Sequence, residues 1–163
     1  MADVAGGAGI SSFQIAQDII VNAPRQQVWE ALTAKIDAWW VYRLADGEES
    51  TLSLEPKVGG QFVERWGDGA GALWGIVMYV NRPKALCLSG PLGITTPVNS
   101  VYRYELHAQV GSTLLKLTHH AFGEPGPHWA EAHERGWHEL LHVYLKAFVE
   151  QGRGWRDMKR GSR

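Results

Sequence analysis

A chain of 163 residues, 45% of them hydrophobic, is long enough for one core to bury most of the surface its unfolded form exposes, and a single domain is expected. Charged residues make up 20% and nearly balance at a formal net charge of -1, which argues against a nucleic-acid binder and against a protein held to membranes by its charge. Cys87 is the single cysteine and cannot form an internal disulfide. No stretch approaches the roughly 18 consecutive apolar residues of a spanning helix, so a cytoplasmic location without membrane insertion is expected.

In chain order, residues 1–12 are rich in Gly, Ala and Ser and read as a disordered leader without a secretory pattern. Phe13, Ile15, Gln17, Ile19 and Val21 then alternate with mostly polar neighbours, as in a half-buried strand. Pro24 opens a helix to about residue 34, carrying Val28, Trp29 and Leu32 at helical spacing, and a second short helix reaches about residue 41. From residue 46 onward, Gly, Pro, Asn and Asp punctuate a meander of strands at about 51–54, 61–66, 72–80, 85–89, 98–109 and 113–121. A long helix follows over about 128–151, with an apolar stripe of Trp137, Leu141, Tyr144 and Phe148 at i, i+4, i+7 and i+11. Residues 152–163 form a basic tail, with Arg153, Arg156, Lys159, Arg160 and Arg163 against Asp157 alone, and are expected to be flexible. Strand, two short helices, antiparallel meander and a long covering helix define an α+β fold whose domain spans 13–151.

The order and residues of these elements resemble the helix-grip or START-like superfamily (SRPBCC), in the branch of the activators of a heat-shock-protein ATPase. The resemblance rests on Ala23-Pro24 and Val28-Trp29 after the first strand, Trp39-Trp40, Val58-Gly59-Gly60 with Phe62, Leu115 and Leu117 before Thr118-His119, Phe122-Gly123, and Gly136-Trp137 with Leu140-Leu141. It departs from the family where Val41-Tyr42-Arg43 replaces the usual Pro-Gly after the paired tryptophans, a difference expected to reshape the mouth of the cavity. The resemblance implies a curved antiparallel sheet wrapped around the C-terminal helix. It also implies one of several activities known on this fold: hydrophobic-ligand carrier, co-chaperone or cyclase.

Successive strand residues face opposite ways, so choosing a face fixes a list of inward residues. The more aromatic face carries Phe62, Glu64 and Trp66, then Trp74, Ile76 and Met78, then Leu86 and Leu88. In the same phase stand Tyr102, Tyr104, Leu106, Leu115, Leu117 and His119, while Arg65, Arg103, Glu105, Lys116, Thr118 and His120 take the opposite face. With Trp39 and Trp40 from the short helices and His133, Trp137, Leu141 and Tyr144 from the long one, these side chains are expected to meet a small hydrophobic or aromatic ligand between sheet and helix, and no cofactor is implied. Against that stands a core simply filled by the same residues. Glu64, His119 or a cavity tyrosine are the candidates should the protein instead be a cyclase- or hydrolase-type enzyme.

His138-Glu139-Leu140-Leu141-His142 fits the H-E-x-x-H string of zinc proteases. A catalytic zinc needs a third protein ligand, and no His follows His142. The longer metzincin pattern demands Gly and His where Leu145 and Phe148 stand. The helical wheel also turns Glu139 away from the core, so no zinc-protease site and no metal are expected. The preferred function is a binding module for a small hydrophobic molecule, with a chaperone or other protein partner as the alternative and a monomer or homodimer as the assembly.

Overall fold

The computed structural model describes residues 9–162. Its strands are β1 (Ser11–Val21), β2 (Thr51–Leu54), β3 (Gln61–Trp66), β4 (Ala70–Asn81), β5 (Ala85–Gly90), β6 (Val98–Gln109) and β7 (Ser112–Gly123). Its helices are α1 (Arg25–Leu32), α2 (Ile36–Trp39), α3 (Trp129–Glu139), a π-helical segment (Leu140–Leu145), α4 (Lys146–Gln151) and α5 (Trp155–Arg160). All seven strands form one antiparallel sheet in the order β1-β7-β6-β5-β4-β3-β2. Successive strands from β2 to β7 are neighbours, as a meander requires, and β1 closes against β7 over its whole length, from Ser11↔Gly123 to Val21↔Thr113. Ser11 and Ser12, placed by the sequence in the leader, therefore belong to β1. The remainder of that leader as far as residue 8 lies outside the described residues.

The helical run from α3 through α4 covers the inner face of the sheet, which is the helix-grip arrangement. The interior contains Trp29, Trp39, Trp40, Phe62, Tyr102, Leu115 and Leu117, all fully buried. Beneath the covering helix the expected inward phase of β6 and β7 holds: Tyr102, Tyr104, Leu106, Leu115, Leu117 and His119 are buried, and their neighbours in sequence are half-exposed or exposed.

On β4 the phase breaks. Phe62 pairs with Gly75 and Val63 with Leu73, leaving Trp74 as an extra residue, and a second irregularity leaves Met78 unpaired between Val77 and Tyr79. A bulge inserts one residue and so reverses the faces beyond it. Trp74 points inward as expected, but Ile76 and Met78, both expected to meet a ligand, turn to the outer face at 40% and 54% exposure, and Val77 takes the inward place.

The covering helix also changes phase. Its buried residues are Trp137, Leu140, Leu141, Leu145 and Val149, while Tyr144 and Phe148 of the expected stripe are only partly buried. In an unbroken α-helix Val149 would lie about 120° around the axis from Trp137. The π-helical segment winds in one extra residue and returns Leu145 and Val149 to the sheet.

The tail expected to be flexible instead carries α5. Trp155 is the reason: its indole nitrogen donates to the Asp37 carbonyl at 2.9 Å, and its ring is flanked by Arg43 and Arg156 at 5.1 and 4.4 Å. Among the described residues no helix is long and apolar enough to cross a membrane.

Candidate functional site

One cleft of about 260 Å³ opens between α3 and the segment that follows α2. Trp40, Tyr42, Arg43 and Leu44 form one wall, Trp74 with Leu92 and Gly93 the floor, and Trp129, Ala132, His133, Gly136, Trp137 and Leu140 the helical wall. Gly93 sits flat on the floor because a Cβ there would meet the Trp74 ring at 2.8 Å. Tyr42 lies across Gly136 and donates from its hydroxyl to the Glu139 carboxylate at 2.7 Å, tying the segment after α2 to α3 at the rim.

Of the residues expected to contact a ligand, Trp40, Trp74, His133 and Trp137 come together around this cleft. Trp39, Phe62, Leu86, Leu88, Tyr102, Tyr104, Leu115, Leu117, His119 and Leu141 lie outside its lining and are buried in the core. Trp66 is half-buried at the end of β3, and the π turn moves Tyr144 to the flank of the helix; neither lines the cleft. Sequence reasoning missed Tyr42, Arg43, Leu92 and Trp129. The first two are nonetheless part of the Val41-Tyr42-Arg43 departure from the family pattern, and that departure forms a wall of the cleft.

The ionisable residues singled out for chemistry are engaged elsewhere. Glu64 is fully buried and accepts from the backbone nitrogens of Leu44 and Ala45 at 2.8 and 3.1 Å and from the Trp74 indole at 3.1 Å. Burial alone would push its carboxyl up, but these bonds outweigh it and hold the group below the usual carboxylate range. Glu64 thus anchors the cleft wall as a carboxylate and has no proton to give. His119 accepts at Nδ1 from the Trp137 indole at 3.1 Å, which places its proton on Nε2, facing the Ser100 hydroxyl at 2.9 Å. That tautomer cannot act as a base toward Ser100. Burial, reinforced by His133 and His120, pushes the imidazole down to about 3. Tyr102 donates to the Trp74 carbonyl at 3.1 Å, and burial first, then neighbouring Tyr104 and Cys87, raises its hydroxyl well above the ordinary value.

Two donors at the cleft stand out. The Trp40 indole nitrogen and Arg43 Nε are both buried without a hydrogen-bond partner, and both residues line the space. His133 is the remaining titratable group on the walls besides Tyr42 and Arg43; its Nδ1 donates to the Trp129 carbonyl at 3.0 Å, and burial lowers its pKa, so the ring is neutral near pH 7.

The HELLH residues lie outside this cleft. His138 and His142 stack at 4.3 Å between ring centroids over a shallow surface groove lined by Gln17, Asp18, Glu131, Glu134 and Arg135, and Glu139 faces the other way to bind Tyr42. Among the described residues no group of three or more His, Cys, Asp or Glu is arranged to hold a metal.

A grip of seven strands around a helix, with an aromatic cleft at one end, defines a START-like α+β protein. The chain belongs to the family described as activator of Hsp90 ATPase homolog 1-like proteins, whose sequence profile matches residues 22–150. No functionally curated protein matches it. Among solved structures it is similar to the protein of unknown function SA2116 from Staphylococcus aureus, at TM-score 0.67 and 12% identity over 88% of this chain and 96% of that one. It is similar also to Mll3558 from Rhizobium loti, at TM-score 0.65 and 22% identity over 85% and 98%. CV1439 from Chromobacterium violaceum aligns at TM-score 0.62 and 17% identity over 84% and 96%. At these identities the likeness concerns the fold.

Proposed function

We propose that this protein is a cytoplasmic binding module that takes a small, ring-containing apolar molecule into the cleft between α3 and the segment after α2. One observation carries the reading: four indoles, from Trp40, Trp74, Trp129 and Trp137, converge on about 260 Å³ of space with few polar groups among them. An apolar cavity of about 150 Å³ suffices for benzene, so this space suits a fused bicyclic ring. Gly136 and Gly93 support it, since each keeps a wall free of side chain where a flat molecule would slide in.

A ligand that binds only the folded chain raises stability by mass action, about 2.7 kcal/mol at a hundred times its Kd. Naphthalene-type probes are expected to raise the Tm and to quench tryptophan emission. Trp137→Ala or an obstructing Gly136→Leu is expected to abolish both effects. A flat response across a broad set of aromatic and lipid probes would remove the reading.

A second reading, a protein-interaction module like the family's namesake, is favoured by one specific feature. The bulges of β4 leave Leu73, Ile76, Met78 and Tyr79 side by side on the outer face, an apolar patch of the kind that partners cover. Ile76→Asp with Met78→Asp is expected to abolish stimulation of an Hsp90-class ATPase while leaving probe binding intact. Absence of any stimulation by the unaltered protein would count against this reading.

A further inference from the structure

Among the described residues, Arg43 is the sole formally charged side chain lining the cleft, and no carboxylate lines it. Its terminal nitrogens are fixed: one donates to Asp37 Oδ1 at 2.7 Å and to the Ser50 carbonyl at 3.3 Å, the other to the carbonyls of Asp37 and Trp40 at 3.1 and 2.9 Å. Its Nε remains without a partner. The single carboxylate beside it is shared, because Asp37 Oδ2 also accepts from Arg156 of α5 at 3.1 Å. Arg43 and Arg156 thus share one carboxylate, and the Lys159 ammonium lies over the Trp155 ring at 4.7 Å.

α5 holds this arrangement. Trp155 presses against the Arg43 guanidinium, Arg156 reaches Asp37 and the Ser50 carbonyl, and Gly154 approaches Ala38 so closely that a Cβ there would meet its carbonyl oxygen at 3.0 Å. This helix lies beyond the residues matched by the family profile, which ends at residue 150. It is an addition on which the orientation of the one cation in the cleft depends.

We propose that the cleft takes a ring-containing apolar molecule bearing an anionic head, a carboxylate being the simplest, and that the head is received at Arg43, with α5 acting as the positioning element that holds that guanidinium in place. The inference rests on the reading of the cleft as a ligand site and goes further by stating the ligand's charge. Two orphaned donors, Trp40 Nε1 and Arg43 Nε, call for an acceptor, and a buried donor left unpaired is costly until one arrives. The guanidinium favours an acceptor that is negative, since an Arg-carboxylate bond exceeds a neutral one in strength.

The test compares naphthalene, naphthamide and naphthoate by titration of tryptophan emission in low salt, using the full chain. Naphthoate is expected to bind at least about tenfold more tightly than naphthalene, with naphthamide between them, and its advantage is expected to shrink as salt is added. Arg43→Met should erase the advantage of naphthoate over naphthalene. Because that substitution also strips Asp37 of a partner, a chain ending at Gln151 and a Trp155→Leu variant provide independent checks: in both, naphthoate should lose most of its advantage and naphthalene little. Equal binding of naphthalene and naphthoate would overturn the anionic head and leave the cleft as a ligand site. Naphthoate affinity unmoved by the truncation would overturn the role of α5. Binding of none of the three would take down both this inference and the ligand reading beneath it.

Discussion

At the scale of single residues, several side chains that looked chemical are structural. Glu64 was legible as an inward carboxylate because strand alternation fixes its face, but its donors come from Leu44 and Ala45, roughly twenty residues earlier, and no local pattern announces that pairing. Glu64→Gln replaces an acceptor-only group with one that also donates, so at least one buried backbone N–H loses its partner; a loss of about 3 kcal/mol in chemical denaturation is expected. His119 gives a pH signature. Its folded-state pKa lies below the unfolded 6.5, so the unfolded chain binds a proton that the folded chain refuses, and stability falls as pH drops from about 6.5 toward about 3. The slope is about 1.4 kcal/mol per pH unit at most, and His119→Ala, though less stable at every pH, should show a shallower decline in Tm over that range. Gly75 is the residue that sequence reading undervalued. A Cβ there would lie 2.2 Å from the Tyr102 hydroxyl, so Gly75→Ala is expected to cost about 1–3 kcal/mol, part of it recovered in combination with Tyr102→Phe.

At the scale of elements, β6 and β7 were readable because an uninterrupted antiparallel pair preserves its period of two from end to end. β4 was not, since the position of a bulge depends on what lies opposite; Gly75 beside Trp74 was the one signal, glycine inside a strand being a mark of a bulge or of close approach. The covering helix failed in the same way. Tyr144 and Phe148 fit an α-helical stripe, and nothing in the apolar pattern distinguishes them from Leu145 and Val149 once a π turn is allowed. That turn gives an unusual expectation. Removing Val143, which is exposed within it, should let the segment wind as α-helix while Trp137, Leu141 and the residues now at Leu145 and Val149 keep one face. The Tm of that deletion is expected to fall by only a few degrees, whereas deleting Ala147, beyond the turn, swings Val149 off the sheet and should cost distinctly more. Comparable losses from the two deletions would show that the π turn does not set the register.

At the scale of the whole molecule, acid should loosen α5 locally while the protonation linked to His119 lowers the stability of the whole fold. Burial works to raise the Asp37 carboxyl, but the bonds from Leu52 and Arg43 and the charges of Arg43 and Arg156 outweigh it and hold the group below its ordinary 3.8. A depressed carboxyl contributes stability that is complete above its unfolded value and is lost as pH falls through the folded one, so the contacts of α5 with Asp37 should loosen below about pH 3.8. Amide exchange in residues 155–160 is expected to accelerate there ahead of exchange in β6 and β7. Protection of α5 that stays level with that of β6 and β7 down to the pH at which the chain unfolds would place its anchorage in Trp155 packing alone. The fold was open to sequence reading, because a meander with a covering helix has few ways to bury its apolar faces. The cleft was less so, being built largely from the segment after α2 and from the loop carrying Leu92 and Gly93, which obey no period.

The crowding of indoles at the cleft has an optical consequence. Trp40 stands edge-on to Trp39, Trp74 and Trp137 with ring centres 5.5 to 5.7 Å apart. Transition dipoles this close, held at steep angles in a rigid frame, mix into shared excited states, so the near-ultraviolet circular dichroism of the native chain should carry a strong, split aromatic band. The band would vanish on mild loosening of the chromophores' mutual orientation, well before the backbone signal fades.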